Sequence, residues 1–223
     1  MTISSLRLAL LLLGCVGAVP ACATSTRAVT SDAGLDAESP SEGGPLPDAG
    51  APPDAEANAS GGGARVFVTA TKYAAKSLGG GASRVAGADG FCANAAAAAG
   101  LGGSWVAWLS TSTVNAIDRV TGTGPWYLVD GTTLLFSNKA ALATVPRAGI
   151  GMNELGVRSE TITRVWTGTA NGGAVSLFTC DDWTNGTNRG KGMVGIGGQA
   201  AEWTQFLEES CDHQESLYCF EVK

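Results

Sequence analysis

Apolar positions along this 223-residue chain fall into three regimes. A short apolar run opens it, a long polar stretch follows, and from Ala64 onward apolar runs of strand or helix length recur between turn residues. Arg65 to Thr71 alternates and is β-branched, which predicts the first strand. Ser77 to Gly87 is a glycine-rich loop. From Gly87 the pattern predicts a helix, with Asp89 placed to cap its free N–H groups. Ala93 and Ala95 to Ala99 have the highest helix propensity, and Gly100 sits where a left-handed C-cap belongs. Phe91, Cys92, Ala95, Ala96 and Ala99 share one face of small residues. Trp105 to Leu109 is an apolar run without alternation, which predicts a strand buried on both faces.

The later half continues in short pieces. Thr113 to Arg119 reads as a helical turn, and Pro125 to Val129 as a strand ending at the Asp130-Gly131 turn. Leu134 to Phe136 returns from that turn, and Asn138 is placed to cap a short helix through Leu142. Arg164 to Thr169 is another strand, closed by Asn171-Gly172-Gly173. Cys180 to Ile196 lacks periodicity and reads as loop, pinned by Trp203 and Phe206; Leu217 to Val222 closes the chain as a strand. The expected class is α+β: short helices beside a small twisted antiparallel sheet, with long loops.

The first two regimes concern export. Arg7 precedes an apolar core, Leu8 to Leu13, too short for a membrane span and suited to a signal peptide over residues 1–23. Leu12-Leu13-Gly14-Cys15 looks like a bacterial lipobox, as does Val19-Pro20-Ala21-Cys22, so Cys15 or Cys22 is the expected acylated residue. Ala21-Cys22-Ala23 also fits ordinary signal peptidase. Residues 24–63 are rich in Ala, Pro, Gly, Ser and Asp without an aromatic, too poor in apolar side chains to fold. They predict a disordered tether with a reach of about 35 Å. The folded part is expected at 64–223, anchored to a membrane through N-terminal lipid alone, at a bacterial outer membrane or cell surface, or else secreted.

Charge sharpens this division. The tether carries seven acidic residues (Asp32, Asp36, Glu38, Glu42, Asp48, Asp54, Glu56) and one basic, Arg27. From Ala64 on there are 12 basic and 13 acidic residues, close to neutral, which removes nucleic acid as an expected partner. Beyond the head, Cys92, Cys180, Cys211 and Cys219 form an even set in an exported chain and predict two disulfides, with three pairings open. No C-x-x-C occurs and His213 is the single histidine, so a cysteine–histidine zinc site is not expected.

Taken together, Gly87-Ala88-Asp89 with Cys92, Ala99-Gly100-Leu101, Trp105 to Ser110, Asp118-Arg119, the Asp130 turn with Leu134-Leu135-Phe136, Val165-Trp166-Thr167-Gly168, Cys180 with Trp183, and Ser210-Cys211-Asp212-His213 before Leu217-Tyr218-Cys219 resemble the endostatin domain of collagens. Bacterial lipoproteins carry domains of unknown function with a similar pattern. The resemblance covers about Val66 to Val222. It implies a C-type-lectin-like fold with nested disulfides, Cys92–Cys219 and Cys180–Cys211. In the chain-entropy account, loops of that size are worth about 5 and about 3.5–4 kcal/mol. The family's ligands do not carry over. Endostatin's zinc histidines are missing, the seven domain arginines are dispersed, and neither Glu-Pro-Asn nor Gln-Pro-Asp nor Trp-Asn-Asp occurs.

The residues that remain as a candidate ligand site are Asp181, Asp182, Trp183, Asn185, Asn188 and Arg189. Asp181, Asp182 and Asn185 could offer oxygens to Ca²⁺, though not at EF-hand spacing; the alternative is that Asp181 and Asn185 cap turns over a packed Trp183. Trp126, Trp166, Trp183 and Trp203 are candidates for a sugar-stacking face, with core packing as the alternative. His213 is the sole general base near neutral pH, beside a cysteine expected to be oxidised, and Glu208-Glu209 and Asp212 to Glu215 read as a solvated face. No catalytic residue and no required cofactor follow. The expected function is an envelope-tethered binding or adhesion module for an extracellular glycan, matrix or surface protein. The alternatives are a structural envelope lipoprotein and a calcium-dependent lectin.

Overall fold

The computed structural model describes residues 62–159 and 161–223. The signal segment with Cys15 and Cys22, and the tether up to Gly61, lie outside the described residues. The described chain is mixed α+β, built mainly of sheet: β1 (Ala64–Val68), β2 (Tyr73–Ala74), α1 (Ala86–Ala98), β3 (Ser104–Ala107), α2 (Ala116–Arg119), β4 (Trp126–Leu128), β5 (Leu134–Phe136), β6 (Thr163–Trp166), β7 (Lys191–Gly197), β8 (Leu207–Ser210) and β9 (Gln214–Val222). The sheet runs β5-β4-β1-β9-β6-β7-β8, with β2 and β3 also paired to β9.

β9 is the axis. Its first residues pair β2 and, in parallel, β6; its later ones pair β1 and β3, both antiparallel. The sheet is therefore larger than expected and mixed, because β4 also runs parallel to β1. That direction follows from the crossover through α1, β3 and α2, which returns the chain to the same end of the sheet.

Alternation along these strands divides the core in two. Val66, Val68, Trp108, Tyr218 and Phe220 turn to one face, with Trp126, Phe136 and Trp203. Phe67, Trp105, Ala107, Leu109, Leu217 and Cys219 turn to the other, with Trp166, Trp183 and the small face of α1: Ala88, Cys92 and Ala96. The run Trp105 to Leu109 lacks polar positions because both of its faces are covered.

Two local expectations change. α1 begins at Ala86, one turn earlier than Asp89 would set it, and Val85 is its N-cap with no side-chain bond. Asp89 instead accepts from the Ala107 amide (2.9 Å) and from Arg119 (2.6 and 2.8 Å), fixing α1 to β3 and α2. The far end ends as read: Gly100 takes φ +69°, its N–H reaches Ala97 O and that of Leu101 reaches Ala96 O. β7 and β8 occupy segments without a strand pattern, and Phe206 is exposed rather than a pin.

Two disulfides hold the domain. Cys92–Cys219 joins α1 to β9 across 127 residues, and Cys180–Cys211 closes 31 residues. Such bonds suit an extracellular or otherwise oxidising compartment. Among the described residues no helix is long and apolar enough to cross a membrane.

Candidate functional site

The segment singled out in the sequence folds into a conformation that residue types alone do not announce. Cys180, Asp181, Asp182 and Trp183 all have positive φ, between 49° and 64°. They form one left-handed helical turn, closed by Trp183 N–H on Thr179 O (2.9 Å) and Thr184 N–H on Cys180 O (3.2 Å). For L-residues this costs about 1–2 kcal/mol each, so it persists only where the surroundings over-determine it.

Three anchors do so here. The Cys180–Cys211 bond holds the start of the turn. Trp183 holds its end: the indole is fully buried, donates from Nε1 to Ser110 O (2.8 Å) and meets Trp166 edge-on. Asp182 holds the middle. Its Oδ1 accepts from the Ser112 amide (2.6 Å), and its Oδ2 accepts from the Ser112 hydroxyl (2.8 Å) and the Arg84 guanidinium (2.7 Å). Burial alone would push the Asp182 carboxyl up; the Ser112 and Arg84 donors outweigh it and hold it below the usual carboxylate range.

Facing the turn is the loop before α1. Gly79 is needed there, because a Cβ would lie 2.8 Å from Trp183 O. Arg84 is the fifth non-glycine residue with positive φ among the described residues, at 60°. Between loop and turn lies a pocket of about 310 Å³, lined by Gly80, Gly81, Arg84, Asp181, Asp182 and Thr184. That is the lower end of the size range of small-molecule sites. Asp181 is exposed at its wall; its Oδ2 accepts from Asn185 Nδ2 (2.9 Å).

The candidate residues thus separate. Asp181 and Asp182 line the pocket. Trp183 does not reach it: it is a buried pin and not a ligand contact. Asn185 supports Asp181 from outside, while Asn188 and Arg189 are exposed and are not among the lining residues. All six tryptophans are buried, so none offers a ring to a sugar. Calcium also fits poorly at Asp181, Asp182 and Asn185. Both Asp182 oxygens are taken by donors, one of them a cation. Asn185 turns its nitrogen toward Asp181, while its oxygen accepts from the amide and hydroxyl of Thr187 (2.8 and 2.9 Å).

Gly80, Gly81, Arg84 and Thr184 were not among the sequence candidates. The Gly79-Gly80-Gly81 run was the available signal, as a stretch of backbone able to approach another closely. The supposed solvated face also differs: Glu215 is buried and Glu209 half-buried. No family model matches the chain, and no curated protein matches it significantly.

Proposed function

We propose that this chain is a displayed binding module that takes an extracellular ligand, a glycan or an epitope of a matrix or surface protein, at the pocket between Arg84 and the left-handed turn. One observation carries this reading. All five left-handed non-glycine residues among the described residues are Arg84 and Cys180 to Trp183, and three of them line one pocket. Strain gathered at one concave place is characteristic of a site held ready for a partner. Arg84 uses one guanidinium nitrogen on Asp182, and Asp181 uses one carboxylate oxygen on Asn185. The remaining N–H groups and oxygen suit a ligand with neighbouring acceptor and donor groups, such as the hydroxyls of a sugar.

The C-type-lectin-like fold is the finer architectural reading. It is supported by the outer bond from the first helix to the last strand, by the inner bond enclosed within it, and by β9 as the shared axis. Display from a bacterial envelope through an acylated Cys15 or Cys22 is the matching account of location. The Thr184 hydroxyl donates to Asp181 O (2.6 Å), and Arg84 and Asp182 hold each other. Binding without turnover is the function proposed.

The test is an array of glycans and matrix proteins probed with the full chain and with Asp181→Asn, which retains a residue type tolerant of left-handed φ. Saturable binding by the parent, weakened at least tenfold by Asp181→Asn at an unchanged melting temperature, is the expected outcome. Binding indifferent to Asp181→Asn overturns the site. A silent array favours a structural envelope protein.

A further inference from the structure

A second cavity, of about 300 Å³, shares no lining residue with the pocket at Arg84. Its size is again at the lower end of the range for small-molecule sites. β1 and the residues after it contribute Val68 and Thr69, β6 contributes Thr163 and β9 contributes Ser216. The charged lining residues are Lys72 and Arg158, both basic; among the described residues no acid lines the cavity. We propose that it is a subsite for a sugar acid, with Arg158 taking the carboxylate and Ser216 pairing with a ring hydroxyl.

Arg158 has donors to give. Among the described residues it makes no hydrogen bond, and the acid beside it, Asp130, stands 3.7 Å from its guanidinium. Both Asp130 oxygens already accept: Oδ1 from the Thr132 and Thr133 amides (2.9 and 2.8 Å), Oδ2 from the Thr133 hydroxyl (2.6 Å). So loose a pair on a half-exposed arginine contributes little, and a carboxylate arriving there displaces water, not a built partner. The guanidinium is a planar fork of N–H groups that matches a carboxylate edge to edge. Lys72 is the second cation; it gives one N–H to Glu215 (3.0 Å) and keeps two. Glu154, on the same loop as Arg158, is engaged by the Ala70 amide (2.9 Å).

Ser216 is the independent sign. On β9 it shares a face with Tyr218 and Phe220, both core residues, so alternation calls for an apolar side chain at its place. It is 1% exposed and lines the cavity, and among the described residues its hydroxyl has no hydrogen-bond partner. Thr69, at the same cavity, shows the contrast: its hydroxyl donates to Thr71 O (2.7 Å) and accepts from the Leu217 amide (2.9 Å). A nearly buried hydroxyl left without a partner is destabilising, and a ligand hydroxyl supplies what the protein does not. The loop presenting Arg158 is also closed. Arg158 bridges Met152, and Asn153 Oδ1 accepts from the Leu155 and Val157 amides (3.0 and 2.9 Å), so little ordering remains for binding. A bare inorganic anion would leave most of the cavity to water and Ser216 unpaired; a sugar acid carries the carboxylate and the hydroxyls together.

The probe is a galacturonate tetrasaccharide, titrated into the full chain by calorimetry beside its methyl ester, which keeps the sugar and removes the charge. Saturable binding of the acid is expected, weakened at least tenfold in the ester and in Arg158→Gln. Ser216→Ala should weaken it about threefold while leaving Tm unchanged or higher, because the deleted hydroxyl has no partner in the protein. Arg189→Gln, the same loss of charge away from the cavity, keeps the parent affinity. No binding of the acid at millimolar concentration, an ester or an Arg158→Gln chain that binds as tightly as the parent pair, or a Ser216→Ala chain with lowered Tm and unchanged affinity overturns the proposal. Inorganic sulfate bound as tightly as the tetrasaccharide overturns it too, since the cavity would then hold a bare anion.

Discussion

Removing the Asp182 carboxylate tests whether the left-handed turn is held by its anchors or tolerated without them. The side chain is mostly buried and accepts three hydrogen bonds, two from Ser112 and one from Arg84. Bonds to a charged acceptor are worth about 1.5–3 kcal/mol each, but three on one carboxylate do not add. Arg84 is more than half exposed, so its share falls to that of a surface pair, about 0–1 kcal/mol. The Ser112 bonds dominate, and Asp182→Ala is expected to cost about 3 kcal/mol. For a domain of this size that lowers Tm by about 6–12 °C.

Asp182→Asn separates charge from geometry, since it keeps an acceptor for the Ser112 amide and tolerates positive φ. The pH dependence has a definite sign. The folded Asp182 carboxyl lies below its ordinary value, so its contribution is complete above about pH 4, the unfolded value, and is lost as pH falls through the folded one. Urea unfolding at pH 7 and pH 3, with disulfides intact, should show the gap between parent and Asp182→Asn narrowing at the lower pH. An Asp182→Ala cost under about 1 kcal/mol, or a gap to Asp182→Asn of constant size, would refute the anchoring argument.

Other substitutions probe the rest of the frame. Arg119 is 8% exposed against Asp89 at 24%, and it also donates to Ala107 O (2.6 Å). Arg119→Met should cost about 3 kcal/mol by stranding the Asp89 charge, read as a lower urea midpoint. In α1, Gly90 faces open space, so Gly90→Ala should raise stability by about 0.5–1 kcal/mol in thermal melts. Gly195→Ala should do the opposite and abolish soluble folded protein, because its Cβ would collide with the Trp203 carbonyl oxygen, a backbone atom that cannot swing away.

What the sequence showed depended on how far apart the deciding residues stand. The α1 helix is written in its own alanines, and β1, β4, β5, β6 and the last part of β9 in their apolar runs. β7 was hidden by glycines that the packing demands: at Gly192 a Cβ would lie 2.7 Å from the Trp166 ring and 2.8 Å from Cys180 Sγ. Those glycines dilute the strand pattern while permitting the contact that makes the strand. In β8, Leu-Glu-Glu-Ser, the two acids read as a solvated face, yet Glu209 pairs with Arg164, 45 residues away. Asp89 reads locally as a cap, yet it is a long-range tie to Arg119.

The same distinction explains why the site was half legible. Asp181 and Asp182 drew attention as adjacent acids, but what makes them a wall is Gly79 to Arg84, about 100 residues earlier, and Ser112 from a third segment. A left-handed turn has no composition of its own; Cys-Asp-Asp-Trp could equally begin an ordinary helix. Its handedness is forced by partners that no local window contains: a cysteine at 211, a carbonyl at Ser110, a serine at 112. Those partners hold the costlier hand in place. That the chain keeps the costlier form, and sets it against a second strained residue across one pocket, is the physical reason to look for a ligand there and not at the tryptophans.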